Sequence, residues 1–195
     1  MGKTKFIGIG ALVIVLAAVV YFISPEKYRG TPPPLKSPAA EFLSGLRNST
    51  FEVEGTPVTL VKGISEEGIL LGATSKLTTR YFGNEALGDL NGDGMEDAIF
   101  LITQDGGGSG LFYYAVAALK TPGGYKTTNA FFIGDRIAPQ TTEIHELELH
   151  GIKQAEIYVN YAERKPDEPM SAQPSMGATK LLKVTPDGKL TGLMQ

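Results

Sequence analysis

Two apolar runs separated by a cluster of glycines do most to limit what this chain can fold into. Ala98 to Thr103 (AIFLIT) and Leu111 to Leu119 (LFYYAVAAL) flank Gly106-Gly107-Gly108-Ser109-Gly110. Short runs rich in β-branched and aromatic residues, bounded by turn residues, read as strands rather than helices. The glycines between them predict a flexible hairpin connection. Further strand signals follow the same pattern: Pro57 to Lys62, Ser75 to Phe82, Tyr125 to Ile133, Thr142 to Leu149, Ile152 to Tyr161, Lys180 to Thr185 and Leu190 to Leu193. Pro186-Asp187-Gly188 predicts a hairpin turn between the last two. Roughly eight to ten short strands at this spacing predict one mainly β domain, an antiparallel sandwich or barrel-like sheet, over residues 41–195. A short helix is expected from Ala39 to Leu46. No long amphipathic helix is expected beyond residue 50.

The first forty residues read differently. Lys3 and Lys5 precede an uncharged run from Phe6 to Ile23. Eighteen residues at ~1.5 Å rise span roughly 27 Å, enough for a bilayer core. Residues 6–23 are therefore expected to be an uncleaved transmembrane signal anchor, with residues 1–5 cytoplasmic and the rest outside. A cleaved signal peptide is the competing reading; Val19-Val20-Tyr21-Phe22-Ile23-Ser24 fits its small-residue cleavage rule poorly. Pro25, Pro32-Pro33-Pro34 and Pro38 make residues 24–40 an extended, semi-rigid linker. The expected location is a bacterial inner or cytoplasmic membrane, with the lipid bilayer as first partner. The chain has no cysteine among its 195 residues, which excludes disulfides, thiolate metal sites and a cysteine nucleophile. A net charge of −3 with interspersed signs gives no footprint for nucleic acid.

The clearest chemistry lies in Asp89-Leu90-Asn91-Gly92-Asp93-Gly94-Met95-Glu96-Asp97. Side-chain oxygens at alternate positions, a glycine at 94 and a closing carboxylate give the spacing by which a short loop wraps calcium. Asp89, Asn91 and Asp93 would supply side-chain oxygens, Met95 its backbone carbonyl, and Asp97 the closing carboxylate. Glu96 would point outward. An EF-hand is excluded because its twelfth position, here Phe100, requires a glutamate, and because Ala98 to Thr103 reads as a strand rather than a helix. The loop resembles the calcium loops of FG-GAP and VCBS-type β-repeats over Asp89 to Thr103. A single copy implies no propeller. More of the chain, roughly residues 46–184, resembles a family of uncharacterised bacterial envelope proteins. That resemblance rests on Asn48-Ser49-Thr50-Phe51, Gly88 to Gly94, Gly107-Gly108-Ser109-Gly110, Gly134-Asp135-Arg136 and Val159-Asn160-Tyr161-Ala162. It implies an exported or anchored β-rich domain and no particular activity.

The expected function is a non-catalytic envelope structural or interaction module with a structural calcium ion, its partner an envelope protein or a glycan. A small-ligand or glycan-binding domain is one alternative. A serine hydrolase using Ser109, Asp135 and His145 is another, although Gly-x-Ser-x-Gly fails because position 111 is leucine. A phosphate loop fails for want of a Gly-Lys-Ser/Thr ending. His145 and His150, five apart, would fall on opposite strand faces, as would Tyr113 and Tyr114. Gly134-Asp135-Arg136 is expected to form a turn or local ion pair, with ligand binding by Arg136 as the sharper reading. Lys165 to Gly177, with three prolines, is expected to be a surface loop.

Overall fold

A computed structural model describes residues 37–68, 76–149, 152–169 and 171–193. The expected anchor at 6–23, most of the linker and His150 lie outside them. Among the described residues no helix is long and apolar enough to cross a membrane.

Residues Pro38–Gln195 form one compact unit. It opens with helix α1 (Pro38–Leu46), so the last residues assigned to the linker belong to the fold. Proline is tolerated there because the first turn of a helix offers its N–H groups no intrahelical acceptor. Twelve strands follow among the described residues. β1 (Thr50–Val53) and β2 (Thr56–Thr59) make a small hairpin. The large sheet runs in the order β3 (Ile64–Gly68), β4 (Lys76–Gly88), β5 (Asp97–Asp105), β6 (Phe112–Thr121) and β7 (Gly124–Thr127). β8 (Phe131–Asp135) pairs with the other half of β6. A four-stranded sheet holds β9 (Ala138–Leu149), β10 (Ile152–Glu163), β11 (Met176–Val184) and β12 (Leu190–Gly192). All these pairings are antiparallel.

The mainly β, antiparallel expectation holds, and the packing is richer than a two-layer sandwich. The large sheet is a middle layer with two cores. On one face Ile99, Leu101, Tyr113, Ala115 and Ala117 pack with Ile157, Val159 and Leu182 of the four-stranded sheet. On the other, Phe100, Ile102, Tyr114 and Val116 pack with Phe51, Val58 and Leu46 of the small hairpin and α1. This is why β5 and β6 read as continuous apolar runs: both of their faces are covered, so no alternate position is left for a polar side chain. Each fully buried Phe, Leu or Ile contributes about 1.5–3 kcal/mol by leaving water. Tyr113 and Tyr114 do fall on opposite faces.

Two of the expected strands change shape. The run from Tyr125 to Ile133 divides into β7 and β8. Thr128 turns its buried hydroxyl onto the Ala117 amide, at 3.0 Å, and its own N–H onto the Ala117 carbonyl, which bends the chain between the two halves. β4 extends well past Phe82 through a bulge at Gly83 and Asn84, whose φ values are 105° and 55°. The bulge aims Asn84 Nδ2 at Thr142 Oγ1 of β9, 3.0 Å away.

Candidate functional site

The Asp89–Asp97 segment is the connection of the β4–β5 hairpin, closed by the pair Gly88 and Asp97. Gly88 is closely packed. A Cβ there would stand 3.1 Å from Ile144 Cγ2 of β9, tighter than ordinary contact. Inside the loop, Leu90 is 2% exposed and belongs to the core between the two larger sheets. One apolar side chain thus anchors a polar loop to the hydrophobic interior.

The oxygens of the loop are arranged around its own backbone. Asp89 Oδ1 accepts from the Gly92 and Asp93 N–H groups at 2.8 and 3.1 Å, and Asp89 Oδ2 accepts from Gly94 N–H at 2.9 Å. Asn91 Oδ1 accepts from Asp93 N–H at 2.9 Å, while its Nδ2 donates to Asp93 Oδ2 at 3.0 Å. Asp93 Oδ1 accepts from Met95 N–H at 2.8 Å. Gly92 and Gly94 have φ values of 81° and 84°, so the chain curls twice through the left-handed region that glycine enters without a Cβ clash. Asp89, Asn91, Asp93 and Gly94 are exposed or part-buried at the molecular surface, and Glu96 is exposed.

Asp97, the expected closing carboxylate, stands at the first residue of β5. Its side chain is fully buried, and each oxygen accepts a backbone N–H: Oδ2 from Leu90 at 3.0 Å and Oδ1 from Lys120 at 2.7 Å. It therefore ties the start of the loop and the end of β6 to the first residue of β5. Burial raises its carboxyl above the usual 3.8; the two N–H bonds pull the other way, and the Asp93 and Asp89 charges push it further up. Met95 is part-buried.

Glu146 of β9 is the residue that sequence reasoning missed. Its Oε1 accepts the Asp89 N–H at 3.3 Å across a separation of 57 residues. The regular alternation of β9 was the only available signal, and it says nothing of which loop lies opposite. Glu146 and Glu148 border a small recess beside Asp89.

The acceptor atoms of Asp89, Asn91, Asp93 and Asp97 are hard oxygens, the ligand type that suits hard cations such as calcium. In this structure those oxygens are turned onto loop N–H groups. Among the described residues no three carboxylate or imidazole groups converge as a ready-made metal cluster. An ion would exchange some of these hydrogen bonds for coordination.

Among the described residues, those of the hydrolase alternative make their hydrogen bonds, ion pairs and ring contacts with other partners. Asp135 is bound to Arg136, with Nε 3.0 Å from Oδ2, and to the Leu111 N–H at 3.0 Å. His145 stands 3.7 Å from Glu143 and 4.6 Å, ring to ring, from Tyr158. Ser109 lies exposed in the β5–β6 connection, and no hydrogen bond joins the three. The Gly134-Asp135-Arg136 ion pair is present as expected, and it lowers the Asp135 carboxyl, chiefly through the Arg136 hydrogen bond. Comparisons with protein-family models, curated proteins and solved structures give no match to this chain.

Proposed function

We propose that this chain is a membrane-anchored, extracytoplasmic β-rich module of the bacterial envelope, non-catalytic, whose Asp89–Asp97 loop holds a structural calcium ion. The single observation that supports the calcium reading is the curl of the loop. Asp89 receives three N–H groups from residues 92–94, and Gly94 turns through positive φ. This keeps Asp89, Asn91 and Asp93 on one short arc. Asp89, Asn91 and Asp93 would hold the ion through side-chain oxygens and Met95 through its carbonyl. Asp97 would add its charge from below while remaining tied to Leu90 and Lys120. The ion would offset the mutual repulsion of these carboxylates and stiffen the hairpin that enters the middle sheet. Millimolar calcium outside the cytoplasm fills even a weak site.

The uncharged run at residues 6–23 supports the anchor reading, with the lipid bilayer as partner. Resistance of the full chain to alkaline extraction from membranes, with protease access to its C-terminal part only from outside, tests this. Calcium is tested by thermal melting of the full chain with calcium and with chelator. A ligand at one hundred times its Kd stabilises by about 2.7 kcal/mol. The Asp93→Ala variant is expected to lose that gain. A parent protein that melts alike in both buffers refutes the clasp.

A further inference from the structure

Two further clefts adjoin the loop. The first, about 500 Å³, has a floor of Leu90, Leu119, Ala155 and Val184. Its rim carries Asn91, Asp93, Gln154, Thr185 and Lys183. The second, about 400 Å³, runs on past Met95 and Pro122 to Lys126. Both share Asn91, Asp93, Leu119 and the β11–β12 turn at Pro186 and Gly188, so they form one groove with the loop at its middle. Lys183 and Lys126 are exposed and make no ion pair or side-chain hydrogen bond among the described residues. Lys120 and Asp187 also line the second cleft, the Lys120 ammonium lying 5.8 Å from the Phe42 ring centroid.

We infer that this groove binds an acidic saccharide, and that calcium in the Asp89–Asp97 loop switches the binding on. The inference rests on the calcium reading above. Without the ion, Asp93 sets a negative charge between two unpaired cations, and an anion lying along the groove is repelled at its centre. With the ion, the local carboxylate charge is neutralised and the remaining groove charges are Lys183, Lys126 and Lys120 against Asp187, whose carboxylate Thr185 and Lys189 already engage. The Gln154 amide suits sugar hydroxyls and the aliphatic floor suits a ring face, while the Asn91 amide is bonded to Asp93 and the Thr185 hydroxyl to Asp187 and Lys189. Clefts of this volume hold small ligands. The ligand class that meets all these demands is hydroxylated, anionic and short: a uronic-acid disaccharide.

The experiment is isothermal titration of the full chain, first with calcium and then with digalacturonate, in calcium and in chelator. Maltose serves as the neutral comparison, and a blank titration into calcium buffer removes direct chelation. Digalacturonate is expected to bind at least about tenfold tighter in calcium, within the usual range of coupling between two sites. By reciprocity it should tighten calcium equally. Lys183→Gln combined with Lys126→Gln is expected to weaken digalacturonate about tenfold while calcium still binds and the melting temperature holds. Maltose should bind more weakly than the acid. If calcium binds but digalacturonate does not, or binds equally in chelator, or is indifferent to the two lysines, the inference is overturned and the clasp stands. If calcium itself does not bind, the clasp has failed, and the switch falls with it.

Discussion

The two ends of β5 carry loops of opposite construction. The loop before it, Asp89 to Glu96, is fixed by side chains: Leu90 in the core, the Asp89 carboxylate on three N–H groups, and Asp97 beneath. The loop after it, Gly106 to Gly110, is fixed by little of its own. The Gly107 N–H reaches Asp105 Oδ1 at 2.7 Å, and Ser109 lies exposed. It is held at its exit instead, where Leu111 donates to Asp135 and accepts from the Arg136 N–H at 2.7 Å. Glycine allows a turn without specifying it, whereas carboxylates on backbone N–H groups specify one conformation. That contrast supports a chemical role for the first loop and a purely connecting role for the second.

The contrast is broken most directly by truncation. Leu90→Ala is expected to destabilise by about 2–5 kcal/mol, because it leaves a hole in a closed core. Asp97→Ala is expected to cost about 2–4 kcal/mol, since it leaves the Leu90 and Lys120 N–H groups buried without acceptors. Ser109→Ala on the other side should change stability by less than about 0.5 kcal/mol. Urea denaturation of the three variants in chelator gives all these values. A Ser109→Ala loss equal to that of Asp97→Ala would end the distinction between the loops.

A matched glycine pair sharpens it. Gly94 and Gly107 have φ values of 84° and 78°, and a Cβ at either would meet nothing within 4 Å. Alanine at each position is therefore expected to cost about the same, 1–2 kcal/mol, from backbone strain alone. Only Gly94→Ala is expected also to weaken calcium, because it disturbs the arc that carries Asp89 and Asp93. Calcium titration followed by melting separates the two. Equal calcium response in both variants would show that the first loop is as passive as the second.

The strands that frame these loops could be read from sequence because their signals are local. β5 and β6 are runs of apolar residues, and Gly106 to Gly110 marks the turn between them. The three-layer packing could not be read in this way. A fully apolar strand announces burial without naming what covers each face, and here α1 and the β1–β2 hairpin cover one of them. The bulge at Gly83 and Asn84 hid the second half of β4 because it interrupts the alternation on which strand reading depends. In the candidate site the spacing of Asp89, Asn91, Asp93 and Gly94 was legible and the loop does curl through them. The burial of Asp97, the anchoring of Leu90 and the approach of Glu146 were not. Each depends on a residue that the fold brings in from another strand.

The smallest expected effect is in acid, where two carboxylates near opposite ends of β5 should act in opposite senses. Arg136 holds the Asp135 carboxyl below the ordinary 3.8. Its contribution to stability is therefore complete above that value and is lost as pH falls through the depressed native value. Burial holds Asp97 above 3.8, so the native state takes up this proton before the unfolded chain does. Between its raised native value and 3.8 the contribution of Asp97 to stability increases as pH falls. Acid unfolding in chelator, followed by circular dichroism, should show both. Asp135→Asn should be less stable than the parent at pH 6 and lose less of its stability in acid, which flattens the acid limb. Asp97→Asn has no proton to take up, so it should lose stability earlier on the way down, which steepens the upper part of the limb. Shifts of the same sign in the two variants would mean that the same electrostatics governs both ends of β5, and the contrast between the two loops would then rest on packing alone.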